Sequence, residues 1–318
     1  MKRTPQTERQ YLTRGRSLVI RYERATGVAV GEDPEAFVDW LDQQKTAWDA
    51  DTWRQYKASA RLWLEQTGFS EAAGLLAQMS SEGCKPPVHR ARARPRKTSA
   101  SKSKTVSEAE EHLITGALRA RKDNYWTLRT LVFLQASIIA GLRPLEWAET
   151  QWLAAMVDDD GKWTGPFLRV HHAKATNGRA HGEFRHLDLS ELRPEAIAVL
   201  GTQLAWMRAP SGPKGGVTAE AYVEACRKCL YSVAKDLWPR RRTRPTLYSG
   251  RHQFAADLKA AGYSRAEVAA LMGHGIGDTV HNHYGRRRSG RKRSGMVRPY
   301  GPEVARIRQA IGLEARLR

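Results

Sequence analysis

The chain is 318 residues long and carries 53 Lys and Arg against 33 Asp and Glu, a formal net charge of +20. A composition of 41% hydrophobic residues with three cysteines is that of a globular chain, and it excludes a collagen-like repeat and a disulfide-stapled miniprotein. The longest apolar stretch, Leu131–Ala140, is broken by Gln135 and Ser137, and no apolar segment follows the basic start, so neither a membrane protein nor a secreted one is expected. The cysteines (Cys84, Cys226, Cys229) suit a reducing cytosol. Such an excess of cations predicts a polyanionic partner, nucleic acid foremost, because Lys and Arg laid on phosphates release condensed counterions.

The length suggests two domains. Residues 7–80 read as a small all-helical bundle, with apolar residues at three- and four-residue spacing over Glu35–Lys45, Thr52–Gln66 and Glu71–Met79. Trp40, Trp48, Trp53 and Trp63 fall on that spacing and are expected in its core. Residues 83–106 hold eight Lys or Arg and no acid, with Pro86, Pro87 and Pro95 among them, and predict an exposed basic linker between residues 1–82 and 107–299. Ser107 and Glu110 form a capping box that starts a helix. A buried helix is expected from about Tyr125 to Ala140, stopped by Gly141. Trp152–Val157, Pro166–Lys174 and Phe184–Leu189 predict three strands of a small antiparallel sheet, with turns at Asp158–Gly161 and Asn177-Gly178. Helices return from about Pro194, one over Ala219–Leu237 and one capped by Ser264 and Glu267. The fold class is therefore mainly α with a small antiparallel β-sheet: a helical first domain and an α+β second domain. Residues 285–298 hold seven further cations and no acid, too many to pack into a core, and Pro302–Leu317 regains helical spacing.

Four short pieces of the second domain stand out together. Gly141-Leu142-Arg143-Pro144-Leu145-Glu146 ends the buried helix. Lys174 sits at the mouth of the Asn177-Gly178 hairpin. Tyr248-Ser249-Gly250-Arg251-His252 opens a helix. Met272-Gly273-His274 follows Arg251 by 23 residues, and Tyr284 comes ten residues later. Each piece alone is a common surface group, turn or packing residue; their order and spacing are not.

In this arrangement the sequence resembles the tyrosine recombinases, or phage integrases, over about residues 107–285. The helical first half matches that family's core-binding domain by position and class only. The resemblance assigns the family's first arginine box to Arg143 and Glu146, its hairpin lysine to Lys174, its second arginine box to Tyr248 and Arg251 with His252 beside them, its Gly-His box to His274, and its nucleophile to Tyr284. It implies attack on a DNA phosphodiester by Tyr284, a 3′-phosphotyrosyl intermediate and a 5′-hydroxyl leaving group protonated by Lys174. Arg143, Arg251 and His274 would hold the non-bridging oxygens, a geometry suited to planar guanidinium groups. Because the phosphotyrosine stores the bond, neither a metal nor another cofactor is expected. The family usually has His where Tyr248 stands, and a tyrosine with an ordinary pKa near 10 is a poor base at neutral pH; it can still hydrogen-bond to the nucleophile or to phosphate.

The implied partner is double-stranded DNA, gripped by both halves as a clamp, with a homo-tetramer on paired sites, a monomer when free, and accessory DNA-bending proteins. Residues 300–318 would form a C-terminal helix exchanged between protomers. The expected location is the bacterial cytoplasm, at the nucleoid. Two other readings stay open: a type IB topoisomerase, which shares the chemistry, and a DNA-binding relative that has lost catalysis. Cys226-x-x-Cys229 lacks a second ligand pair for zinc, the His281-Asn282-His283 string cannot by itself build a nuclease site, and Lys214-Gly215-Gly216 lacks the rest of a phosphate-binding loop. His171, His172, His181 and His186 crowd the hairpin and are expected to meet phosphate or solvent.

Overall fold

The computed structural model describes residues 5–85, 103–157, 163–172, 182–275, 284–293 and 295–307. Lys174 and its Asn177-Gly178 turn, the 158–161 turn, His181, the 281–283 string, residues 86–102 of the linker and residues 308–318 lie outside these. The chain divides into two compact units, residues 1–94 and 95–318.

The first unit is helical, with α1 (Pro5–Thr26), α2 (Pro34–Gln44), α3 (Ala50–Gln66) and α4 (Ser70–Gln78). Local chemistry sets the helix starts. Asp33 accepts from the Ala36 amide at 2.9 Å ahead of Pro34, and Asp49 accepts from the Thr52 amide at 2.8 Å. The apolar faces close on one core of Leu18, Tyr22, Phe37, Leu41, Trp53, Leu64 and Leu76. Each such side chain contributes about 1.5–3 kcal/mol by leaving water. Trp53 is fully buried, and Trp40, Trp48 and Trp63 pack against the same core, as their spacing predicts. Helix α1 lies against α3 so closely that a Cβ on Gly15 would stand 2.6 Å from the Ser59 carbonyl oxygen.

The second unit surrounds the buried helix α6 (Trp126–Ala140), preceded by α5 (Glu108–Ala120), whose capping box of Ser107 and Glu110 is formed on both sides. Phe133, Leu134 and Ile138 of α6 meet Leu204 of α7 (Pro194–Arg208), Val233 of α8 (Ala219–Leu237) and Phe254 of α9 (Leu247–Ala260) in one core. The short helix α10 (Arg265–Met272) adds Leu271 to it.

The sheet is antiparallel and four-stranded, in the order β1 (Gln151–Leu153), β4 (Phe167–His171), β5 (Phe184–Asp188), β8 (Arg298–Pro299). Register places Trp152 opposite Leu168, Leu168 opposite Leu187, and Val170 opposite Arg185. The expected strand Trp152–Val157 is two pieces: β1, and β2 (Met156–Val157), which turns away to pair with β3 (Trp163–Thr164). Strands β6 (Ser211–Gly212) and β7 (Gly215–Gly216) make a separate small hairpin.

Both ends of the basic linker are packed. Lys85 donates its amide to the Trp48 carbonyl at 2.8 Å in the first unit. In the second, the Ser103 amide donates to the Arg244 carbonyl at 3.0 Å, and Val106 is buried with its amide on Gln253 Oε1 at 3.0 Å. The second basic run also departs from the expectation of an unpacked tail. Arg291 pairs with Glu111 and Arg293 with Asp257, while Met296 and Val297 enter the core. Of the expected C-terminal helix, α11 (Gly301–Ala305) lies within the described residues, seated on its own unit by Glu303, which accepts from the His186 amide at 2.9 Å. Among the described residues no helix is long and apolar enough to cross a membrane.

Candidate active site

The site begins where α6 ends. Gly141 takes the left-handed conformation (φ 66°), and a Cβ there would fall 2.0 Å from the Phe254 ring, so the turn admits glycine alone. The chain then folds Arg143 back on Glu146: the Arg143 amide donates to Oε2 at 2.8 Å and Nη1 to Oε1 at 2.5 Å. Glu146 is 3% exposed and also receives Arg185 Nη2 at 2.7 Å, with Arg251 Nη1 3.8 Å away. Burial alone would raise its pKa; the guanidinium groups of Arg185, Arg251 and Arg143 prevail and hold the carboxyl well below the usual carboxylate range.

Arg185 is a site residue that the sequence motifs do not mark. It sits on β5, fully buried, and donates from Nε to the Leu271 carbonyl at 3.0 Å, with Nη1 3.2 Å from His172 Nδ1. A signal was present: Arg185 alternates with Leu187 and Leu189 on the inward face of a strand, where a cation must find a buried acid.

The first turns of α9 supply the next groups. Thr246 and Ser249 cap each other, and Ser249 Oγ donates to the Ser103 carbonyl at 2.5 Å. This fixes the helix start, so Tyr248, Arg251 and His252 project from one face at three- and four-residue spacing. Arg251 has no exposed surface: Nη1 donates to the Gly141 carbonyl at 2.5 Å and Nη2 to that of Met272. Its Nη2 also stands 3.4 Å from His274 Nε2. Gly273 ends α10 in the left-handed conformation (φ 67°), where a Cβ would fall 2.6 Å from His172 Nδ1, and this turn aims His274 into the site. Burial, then the charges of Arg251, Arg143 and Arg185, push the His274 pKa down to about 2, so the imidazole is neutral at working pH.

Tyr284 closes the site. Its hydroxyl is 3.1 Å from that of Tyr248, and its ring lies 5.5 Å from the Arg251 guanidinium, 4.8 Å from the His252 ring and 5.2 Å from the His274 ring. Burial opposes ionisation of Tyr284, but Arg251 and the hydrogen bond from Tyr248 outweigh it and lower the pKa. Tyr248 moves the other way: burial raises its pKa against the pull of Arg251, and the Tyr284 charge adds to the rise.

Seven of the eight expected site residues therefore converge: Arg143, Glu146, Tyr248, Arg251, His252, His274 and Tyr284. The eighth, Lys174, lies outside the described residues. Three of the hairpin histidines lie within the described residues, each beside a charged partner. His171 Nδ1 is 2.8 Å from Glu149, His186 Nδ1 is 2.7 Å from Glu303, and His172 faces Arg185, because acids and a buried arginine stand next to each. Cys226 and Cys229 are buried free thiols on α8, and burial pushes that of Cys226 up to about 12. Among the described residues no group of three or more His, Cys, Asp or Glu could hold a metal ion.

No family model and no curated protein matches the chain. Solved structures align along most of its length. The XerA recombinase is 14% identical, covering 88% of this chain and 86% of its own, with a TM-score of 0.36. A lambda integrase dimer bound to a COC′ core site is 16% identical, covering 88% of each chain, at 0.46. The protelomerase TelA, covalently complexed with substrate DNA, is 14% identical, covering 100% of this chain and 93% of its own, at 0.46.

Proposed function

We propose that this chain cleaves and rejoins DNA strands at specific sites, forming a transient bond between Tyr284 and a strand's 3′-phosphate. The observation that carries this reading is the phenol of Tyr284, lowered in pKa and set over Arg251, in a pocket where three guanidinium groups face one carboxylate. The pocket's formal charge, three cations less one anion, is +2, which suits a phosphorane gathering negative charge on its oxygens.

In the reaction, Tyr284 Oη attacks phosphorus as its proton leaves, the bond to the 5′ oxygen breaks, and that oxygen takes a proton, the task assigned to Lys174. Arg143 and Arg251 neutralise the non-bridging oxygens, and neutral His274 donates a hydrogen bond. Arg251 is wholly covered at rest, so phosphate reaches it once the Tyr284 ring shifts aside. Resealing runs the same steps backwards, with a 5′-hydroxyl as nucleophile. The exposed Arg286, Arg287, Arg288 and Lys292 and the basic linker bind the DNA backbone. Assembly of four copies on paired sites, any help from accessory bending proteins, and integration or resolution of a mobile element belong to the same reading. Exchange of a C-terminal element between copies is part of that reading too, though Glu303 and Ile307 of its described residues are buried against their own unit.

The test is covalent trapping on a nicked suicide duplex. The natural chain should form an adduct resistant to denaturant, and Tyr284→Phe should bind DNA and form none. An adduct with Tyr284→Phe would remove the nucleophile assignment. Relaxation of supercoils without recombinants from paired duplexes would leave a topoisomerase.

A further inference from the structure

The face of α9 next to the site holds the chain that leaves Tyr284. Gly285 lies so close to it that a Cβ would stand 2.4 Å from the His252 carbonyl oxygen, and the Gly285 carbonyl accepts from Lys259 Nζ at 2.9 Å. The Ser289 carbonyl accepts from Gln253 Nε2 at 2.9 Å, and a Cβ on Gly290 would stand 2.2 Å from the Ala256 carbonyl oxygen. Asp257, fully buried, completes this packing. Its Oδ1 accepts from the Arg291 amide at 2.9 Å and from Gln253 Nε2 at 2.6 Å, and Oδ2 pairs with Arg293 Nε at 2.8 Å.

A run of cations without acids repels itself in isolation. Here a buried carboxylate draws it along one path. A buried ionised Asp is costly unless paired and hydrogen-bonded, so once the strand departs from this path the charge loses its partners. The same helix carries Arg251, whose position is fixed by two backbone carbonyls. The backbone that leaves Tyr284 and the Arg251 guanidinium are thus both held along one helix.

We propose that Asp257 is a positioning residue for the nucleophile: it fixes the strand leaving Tyr284 along α9, so that one helix sets both Arg251 and the attacking oxygen. This rests on Tyr284 being the nucleophile. Asp257 touches no substrate; it acts through residues 285–293 of its own chain.

Two substitutions in the full-length chain test it by different physics. Asp257→Asn keeps the size and one acceptor but removes the charge that faces Arg293. Gly290→Ala leaves every charge in place and drives the strand off the Ala256 carbonyl. The measurements are the single-turnover rate of adduct formation on a nicked suicide duplex at saturating protein, DNA affinity at the same salt, and the pH dependence of the rate. Both variants should lose roughly 10- to 100-fold in rate, the scale of a misplacement near 1 Å. Affinity should stay within about threefold, because the exposed cations remain. The rate should also need higher pH, since a phenol moved away from Arg251, Arg143 and Tyr248, with His274 neutral beside it, ionises less readily. If Asp257→Asn fails to fold, Gly290→Ala decides. Natural rates and pH profiles in both folded variants would overturn the proposal, as would weakened affinity with bound complexes cleaving at the natural rate. Absence of an adduct with the unaltered chain would instead strike at the nucleophile assignment.

Discussion

Glu146→Gln is the sharpest test of the site's electrostatics. The carboxylate faces Arg143 at 2.5 Å, Arg185 at 2.7 Å and Arg251 at 3.8 Å, and Arg185 and Arg251 have no exposure through which water could replace it. Gln keeps the shape and leaves three cations facing one another, taking the cluster from +2 to +3. Removing one partner of a buried ion pair costs about 3–5 kcal/mol; Arg143, 16% exposed at its side chain, recovers some hydration and adds the least. In a unit of this size that is a melting shift of roughly 6–20 °C. Folding lowers the Glu146 pKa, so its stabilisation is fully present above the unfolded value of 4.5 and is lost as pH falls towards the folded one. The stability gap between natural chain and variant, read by urea unfolding, should hold from pH 7 to about 5.5 and close below pH 4.5. A gap under about 1 kcal/mol at pH 7, or one that widens in acid, would refute the buried network.

Arg185→Met should also destabilise, by leaving Glu146 short of its nearest buried partner, and adduct formation should fall with it though Arg185 is not assigned a contact with the phosphate oxygens; normal cleavage in a folded variant would contradict this. His274 is held neutral down to about 2, whereas an unfolded histidine binds a proton near 6.5. Its contribution is therefore present above pH 6.5 and lost below, at roughly 1–1.5 kcal/mol per pH unit, and His274→Gln should flatten that slope in unfolding titrations between pH 6.5 and 5. Replacing Arg286, Arg287 and Arg288 by Gln should reduce the salt slope of DNA binding by up to roughly 0.9 for each phosphate no longer neutralised, read by binding isotherms over a salt series. Tyr248→Phe should slow cleavage roughly 10- to 100-fold at neutral pH, the worth of a hydrogen bond to a charged group, and less at high pH; an unchanged pH–rate profile would remove Tyr248 from the reaction.

What the sequence made legible was local. The helix starts at Ser107 and Ser264 and the stop at Gly141 follow from side chains within a few residues of the backbone groups they serve. The site motifs were legible for a different reason: each piece alone is commonplace, and their order and spacing along residues 141–284 carried the resemblance. What stayed hidden depends on pairing across the chain. Arg185 meets Glu146 from 39 residues away, and only the strand register places it inward. The 285–298 run reads as an unpacked tail because its neutralising acids, Glu111 and Asp257, sit on α5 and α9. Strand β8 has two residues, too few for any alternation to show.

The tyrosine at 248 suits the electrostatics of the pocket. Burial first, and then the charges of Arg251, Arg143 and Arg185, discourage the His274 imidazole from taking a proton. An imidazole at 248 would also stand beside Arg251, whose charge opposes its protonation. A phenol answers a different need. Of the two hydroxyls 3.1 Å apart, Tyr284 has its pKa lowered and Tyr248 has its pKa raised, so the first proton to leave the pair comes from Tyr284. Tyr248 then keeps its proton and donates to the phenolate across the working pH range. In the proposed reaction the group at 248 would thus serve as a donor that holds the charge on Tyr284 after deprotonation. In that reaction the proton would pass to solvent or to a phosphate oxygen, and Arg251, the strongest influence lowering the Tyr284 pKa, would favour the anion.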